Sequence, residues 1–166
     1  MLCPYCISNI AGDAAKCAKC GREIPPLYRQ YYPKGTFSKP PIIMSAVGFS
    51  AHGKTIYFAS LLHVINSELT KVWPGFYRQA IDHEAVETVR HNLQLLEQGK
   101  LPDSTPKNFP QPNVHRLVKV PGKGDRLLVI YDASGESFNE AQQMERFASY
   151  LTQARSVMFL VSLNDL

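Results

Sequence analysis

Residues 41 to 66 limit what this chain can fold into more than any other stretch. Pro41 to Val47 is an apolar run (Ile42, Ile43, Met44, Ala46, Val47) of strand length, and Phe58, Leu61, Leu62 and Ile65 follow at helical spacing. Between them lies Gly48-Phe-Ser-Ala-His-Gly53-Lys54-Thr55, which fits G-x-x-x-x-G-K-[ST]. Strand, glycine-bounded loop and helix, in that order, is what a phosphate-cradling loop needs. The backbone N–H groups from Ser50 through Ala51, His52, Gly53 and Lys54 to Thr55, with Ile56 next in the helix, would curl around a β-phosphate at the helix's positive end. Lys54 would reach the β- and γ-phosphate oxygens, and the Thr55 hydroxyl would ligate Mg²⁺. A plain glycine-rich turn is the alternative, but ordinary composition yields this pattern in roughly one chain of this length in a hundred or fewer. The stretch therefore points to a nucleoside triphosphate.

The 166 residues leave room for one ordinary domain and a small appendage. A hydrophobic fraction of 45% and a charged fraction of 19% are globular values. The net charge of +4 permits an acidic partner without pointing to nucleic acid. No apolar run has the length of a membrane span, and Cys3 and Cys6 stand where a signal peptide would be apolar. All four cysteines fall within the first 20 residues, which argues for a cytoplasmic metal site and against a secreted disulfide scaffold.

Those cysteines form Cys3-Pro-Tyr-Cys6, ten intervening residues, then Cys17-Ala-Lys-Cys20-Gly21. Two C-x-x-C turns aimed at one point complete a tetrahedral Zn²⁺ site, and four thiolates leave no open position, so the zinc is expected to be structural. An iron–sulfur cluster or a redox dithiol is the lesser alternative. Twenty-two residues cannot bury a core, so metal would fold them. Residues 1–22 then resemble a zinc ribbon, a docking surface for protein or nucleic acid, with a protein partner favoured. Lys16, Lys19 and Arg22 are too few to argue for nucleic acid.

Residues 23–40 hold four prolines and four tyrosine or phenylalanine residues and read as an extended linker that packs on something. Residues 41–166 read as an α/β unit: a strand at 41–47, helices over 54–67 and 83–98, a loop from Gly99 to Pro112, strands at 114–120 and 126–131, a helix from Phe138 to Leu151, and a strand at 157–161. The five-residue turn Pro121-Gly-Lys-Gly-Asp125 is too short for a crossover, so its flanking strands are antiparallel, the first expected at an edge. The rest would be parallel and joined by right-handed crossovers.

Leu127 to Tyr131 is apolar and runs into Asp132-Ala-Ser-Gly135-Glu136. A carboxylate at the end of a core strand sits where open α/β sheets bind ligands. Asp132 would hold Mg²⁺ across from Thr55, and Gly135 would let its N–H approach the γ-phosphate. Simple helix capping by Asp132 is the alternative.

G-x-x-x-x-G-K-T, an antiparallel strand pair and D-x-x-G together resemble the Ras-like, translation-factor-related P-loop GTPases over residues 41–166. The resemblance implies a three-layer P-loop NTPase sheet, mostly parallel with one antiparallel strand, and a Mg²⁺-dependent GTP switch with hydrolysis. It places Gly48, Gly53, Lys54, Thr55, Asp132 and Gly135 on the phosphates and metal. It also implies a threonine in the loop before the antiparallel strand, for which Thr105 is the candidate and Ser104 the second. Leu101-Pro-Asp-Ser-Thr105, beside a long insertion, resembles a bacterial group of double-GTPase-like proteins. Glu136 stands where such hydrolases often carry glutamine; an ionised glutamate accepts but cannot donate, so hydrolysis would be slow or partner-dependent. The guanine-reading N/T-K-x-D motif is not matched at Asn164-Asp165-Leu166, so a truncated domain is expected. An ATPase using the same loop, or a zinc-ribbon interaction protein that binds nucleotide without turnover, are the rivals.

Of the remaining residues, His52 is expected to face solvent more than to shape the loop. His63, His83, His91 and His115 show no metal-ligand spacing, and Trp73 reads as a packing anchor.

Overall fold

The computed structural model describes residues 1–31, 41–103, 105, 111–139, 141–142, 149–154 and 156–162. Strands β1 (Ile42–Val47), β2 (Tyr77–Ala80), β3 (Pro112–Val120), β4 (Gly124–Tyr131) and β5 (Ser156–Phe159) form one sheet in the order β2-β3-β4-β1-β5. β1 is parallel to β4 and to β5, whereas β3 is antiparallel to β2 and to β4. One antiparallel strand thus sits in an otherwise parallel α/β sheet.

β2 is the element that periodicity does not reveal. Tyr77-Arg-Gln-Ala80 has no alternation of apolar and polar positions and becomes a strand only by pairing with β3. Its presence moves β3 from the expected edge into the sheet interior.

Among the described residues four α-helices accompany the sheet: α1 (Pro26–Tyr31), α2 (Lys54–Val64), α3 (Thr70–Val72) and α4 (His83–Glu97). α2 continues through a π-helical turn, Ile65–Leu69, into α3. α4 starts at Asp82, whose carboxylate accepts from the Glu84 N–H. α1 lies where an extended linker was expected. Pro26 at its first position sacrifices no intrahelical hydrogen bond, so proline there starts a helix as readily as it ends one. The expected helix from Phe138 to Leu151 has helical backbone at Ala141 and Gln142 but 3₁₀ turns at its ends, Gly135–Phe138 and Ser149–Gln153, while Met144, Phe147 and Ala148 lie outside the described residues.

The β3–β4 turn is held by Asp125, whose carboxylate accepts from the Lys119 N–H at 3.0 Å and from Arg116 Nη2 at 2.7 Å. Alternation along β1 and β4 then divides the core. Ala46, Leu128 and Ile130 pack with Phe58 and Leu62 of α2, with Ile65, and with Val89 of α4. Ile43, Leu127, Val129 and Tyr131 face the opposite way and share a core with Cys3, Cys17, Ile24 and Tyr28. The cysteine module therefore covers one face of the sheet. Trp73 packs edge-on against Phe76 beside the α2 core, as a packing anchor would.

Candidate functional site

β1 and β4 are parallel neighbours, so the loop leaving β1 and Asp132 after β4 emerge side by side, with Ser45 level with Tyr131. The loop turns through left-handed backbone at Ala51 (φ 63°) and Gly53 (φ 78°). Gly53 precedes α2 with no side-chain cap, and no acidic residue lies in the helix's first turn. The amides at that end are thus served by no capping side chain, and the helix dipole points its positive end there.

Lys54 is buried, and its Nζ donates to the carbonyls of Gly48 at 2.7 Å and Phe49 at 2.8 Å. Burial pulls its pKa below the usual lysine value, opposed by the Asp132 carboxylate. Thr55 Oγ1 donates to Asp132 Oδ2 at 2.7 Å and lies 3.3 Å from Thr105 Oγ1. The other Asp132 oxygen, Oδ1, is buried and has no hydrogen-bond partner among the described residues. Burial raises the Asp132 pKa, against the pull of the Thr55 hydroxyl and the Lys54 charge. Gly135 packs directly on the loop: a Cβ there would collide with the Ser50 nitrogen and the Phe49 carbonyl. Glycine at 135 is required by this close backbone approach.

These groups border a cleft of about 560 Å³ lined by Ser50, Ala51, Gly53, Lys54, Thr55, Ile56, Thr105, Gly135 and Glu136. That volume suits a small-molecule ligand. Thr105, placed by resemblance, thus stands beside Thr55; Ser104 lies outside the described residues. Leu101, Pro102, Asp103, Ala133 and Ser134 also line the cleft, and only their nearness in sequence to Thr105 and Asp132 signals it. Gly48 and His52 stand off the cleft on the β5 side. A Cβ on Gly48 would lie 2.5 Å from the Leu160 carbonyl oxygen, and His52 Nδ1 lies 2.9 Å from that same oxygen. His52 is half-buried and stacks edge-on with Phe49, so it ties the loop to the end of β5 and does not face solvent. The reason is topological: β5 lies next to β1, a neighbour that loop composition cannot reveal.

The four cysteines converge. Their Sγ atoms all lie within 4.8 Å of one another, with Cys3–Cys20 at 3.8 Å and Cys6–Cys17 at 3.6 Å. A tetrahedron of thiolates with Zn–S bonds of about 2.3 Å has edges of ~3.8 Å. The cluster is compatible with zinc. Each pair sits on a similar turn: the Ile7 N–H returns to the Cys3 carbonyl and the Gly21 N–H to the Cys17 carbonyl, both residues having positive φ. Burial pushes the Cys17 thiol up, but the backbone N–H groups of Cys20 and Lys19 and the Ser8 hydroxyl outweigh it and bring the thiol down to about 6.

A further buried polar group lies apart from both clusters. His115 is fully buried and accepts from Arg78 Nη1 at 2.9 Å, while Arg78 Nε donates to Asn66. Among the described residues no helix is long and apolar enough to cross a membrane. Comparison with protein-family models, curated proteins and solved structures finds no match to this chain.

Proposed function

We propose that residues 41–166 are a GTPase-like P-loop domain, a three-layer fold that binds a nucleoside triphosphate with Mg²⁺ and hydrolyses its γ-phosphate. The Thr55–Asp132 hydrogen bond beside the cleft carries this assignment. A hydroxyl from the first turn of α2 and a carboxylate from the end of β4 meet there, and the buried Asp132 Oδ1 is left wanting a partner. That donor set suits a hard divalent cation, which would keep several of its own waters. Bound there, Mg²⁺ would neutralise charge on the β- and γ-phosphate oxygens.

The chain's own groups supply the rest. Lys54 spends two of its three N–H donors on loop carbonyls, and its third, with its charge, would serve the phosphates. The uncapped amides of α2 add partial positive charge. The Thr105 hydroxyl, 3.3 Å from that of Thr55, would follow Thr55 and the metal, and Glu136, which lines the cleft, would accept a hydrogen bond from an attacking water. Catalysis is positioning and charge stabilisation. The antiparallel β3 ahead of the acidic β4 favours GTP over ATP. The four-cysteine cluster is assigned to structural zinc, and the exposed side of the module, cytoplasmic on this assignment, to a protein partner. Lys16 and Lys19 are exposed, but Arg22 lies over the Tyr5 ring, so little supports nucleic acid there.

Glu136 favours a second reading, binding without turnover, because a carboxylate cannot donate to the phosphoryl group. Phosphate release under multiple turnover tests both. GTP should be hydrolysed, and Lys54→Ala should lower the rate about 100-fold or more. Turnover of ATP alone would indicate the ATPase rival, and binding with no release the second reading.

A further inference from the structure

Asp132 is held from both sides by residues that belong to the cysteine module's core. Tyr131 and Ala133 are fully buried in the cluster that contains Cys3 and Cys17. Between them the Asp132 carboxylate turns to Thr55. The Tyr131 hydroxyl donates to the carbonyl of Pro4, which lies inside the first cysteine turn, and its ring stacks on Tyr150 with centroids 4.6 Å apart and planes 10° from parallel. A second tyrosine serves as a built-in contrast. The Tyr28 hydroxyl donates to the Leu2 carbonyl at 2.8 Å and so fastens the same module to α1, not to the strand that runs into Asp132.

We propose that Tyr131 is a positioning residue that links metal occupancy of the four-cysteine cluster to nucleotide affinity at the phosphate loop. Metal held by Cys3 and Cys6 fixes the turn that presents the Pro4 carbonyl. That carbonyl holds Tyr131, and Tyr131 sets the backbone from which Asp132 meets Thr55. Without metal, 22 residues lose the main reason for holding that turn, and the Asp132 flank loses its anchor. Linkage is reciprocal, so Mg²⁺–nucleotide must in turn tighten metal binding. The inference rests on the nucleotide and zinc assignments made above.

The test is the equilibrium zinc affinity of the intact chain, read by competition with a chromogenic chelator, with and without saturating Mg²⁺ and a fluorescent N-methylanthraniloyl GTP or ATP. Fluorescence reports independently that the nucleotide is bound. Bound nucleotide should tighten zinc binding about threefold or more in the wild type. In Tyr131→Phe, which keeps the ring, the two affinities should become equal, whereas Tyr28→Phe should keep the tightening. A wild-type affinity unchanged by bound nucleotide overturns the linkage while sparing the nucleotide assignment. So does tightening that persists in Tyr131→Phe, or that vanishes equally in both variants. Absence of any fluorescence change overturns the nucleotide assignment and this inference with it, and failure to retain zinc does the same for the metal assignment. The wild-type comparison stands by itself should Tyr131→Phe not fold.

Discussion

His115 sits fully buried in β3 opposite Ala80 and accepts from Arg78, which can only donate. Nδ1 is therefore the bare nitrogen, and the ring's proton belongs on Nε2. Nε2 is itself buried without a partner among the described residues. Burial, reinforced by the Arg78 charge, lowers the imidazole pKa from 6.5 to about 3. The sign follows. Above pH 6.5 both folded and unfolded chains carry neutral His115, which then contributes nothing. Below it the unfolded chain takes up a proton that the folded chain refuses, and stability falls until the pH reaches about 3. Urea unfolding of the wild type at pH 7 and pH 5 should differ by roughly 2 kcal/mol from this group. His115→Asn, whose Oδ1 can replace Nδ1 as acceptor, should lack that increment. An equal pH dependence in both proteins would show that His115 titrates normally. Nothing in the sequence announced this group, because a histidine between Val114 and Arg116 looks like any strand residue.

The cysteine module shows how far local pattern reaches. Its two C-x-x-C turns foretold the convergence of four thiolates, and Gly21 takes the left-handed backbone after Cys20 with φ 72°. They did not foretell Ile7, which takes the equivalent left-handed position after Cys6 with φ 59°. The first turn thus tolerates backbone strain that the second avoids with glycine. Nor could spacing show that the module covers the sheet, since Tyr28 and Tyr131 meet it from well outside its own 22 residues. Its metal should therefore stabilise more than the module. Stripping it with a chelator should lower Tm by about 10 °C, some 3 kcal/mol at the usual 2–4 °C per kcal/mol. It should also raise the fluorescence of a dye that binds exposed apolar surface, because the sheet face under Cys3 and Cys17 would open. Cys17→Ser should reproduce both effects. Unchanged Tm and dye fluorescence would mean that the module holds its fold without metal.

At the scale of the whole molecule, legibility follows the reach of the interactions. α2, α4, β1 and β4 were readable because each carries its own period or apolar run. β2 was not, because its four residues draw their structure from β3. The loop residues from Ser50 to Thr55 were readable from spacing, and Asp132 from its place at a strand end. Their meeting at 2.7 Å depended on β1 and β4 being neighbours, which the antiparallel turn before β4 only suggests. His52 was misjudged for the same reason, since its partner at Leu160 lies 108 residues away. The sheet thus brings together a glycine-bounded loop, an acid and a four-cysteine module from three separate stretches of chain. The most direct measurement is calorimetric titration of the zinc-loaded protein with GTP and with ATP in the presence of Mg²⁺, beside Lys54→Ala. A GTP preference, with affinity at least tenfold weaker in Lys54→Ala, is expected (a loss of about 1.4 kcal/mol or more). A folded protein that takes up neither nucleotide would contradict the assignment of the cleft.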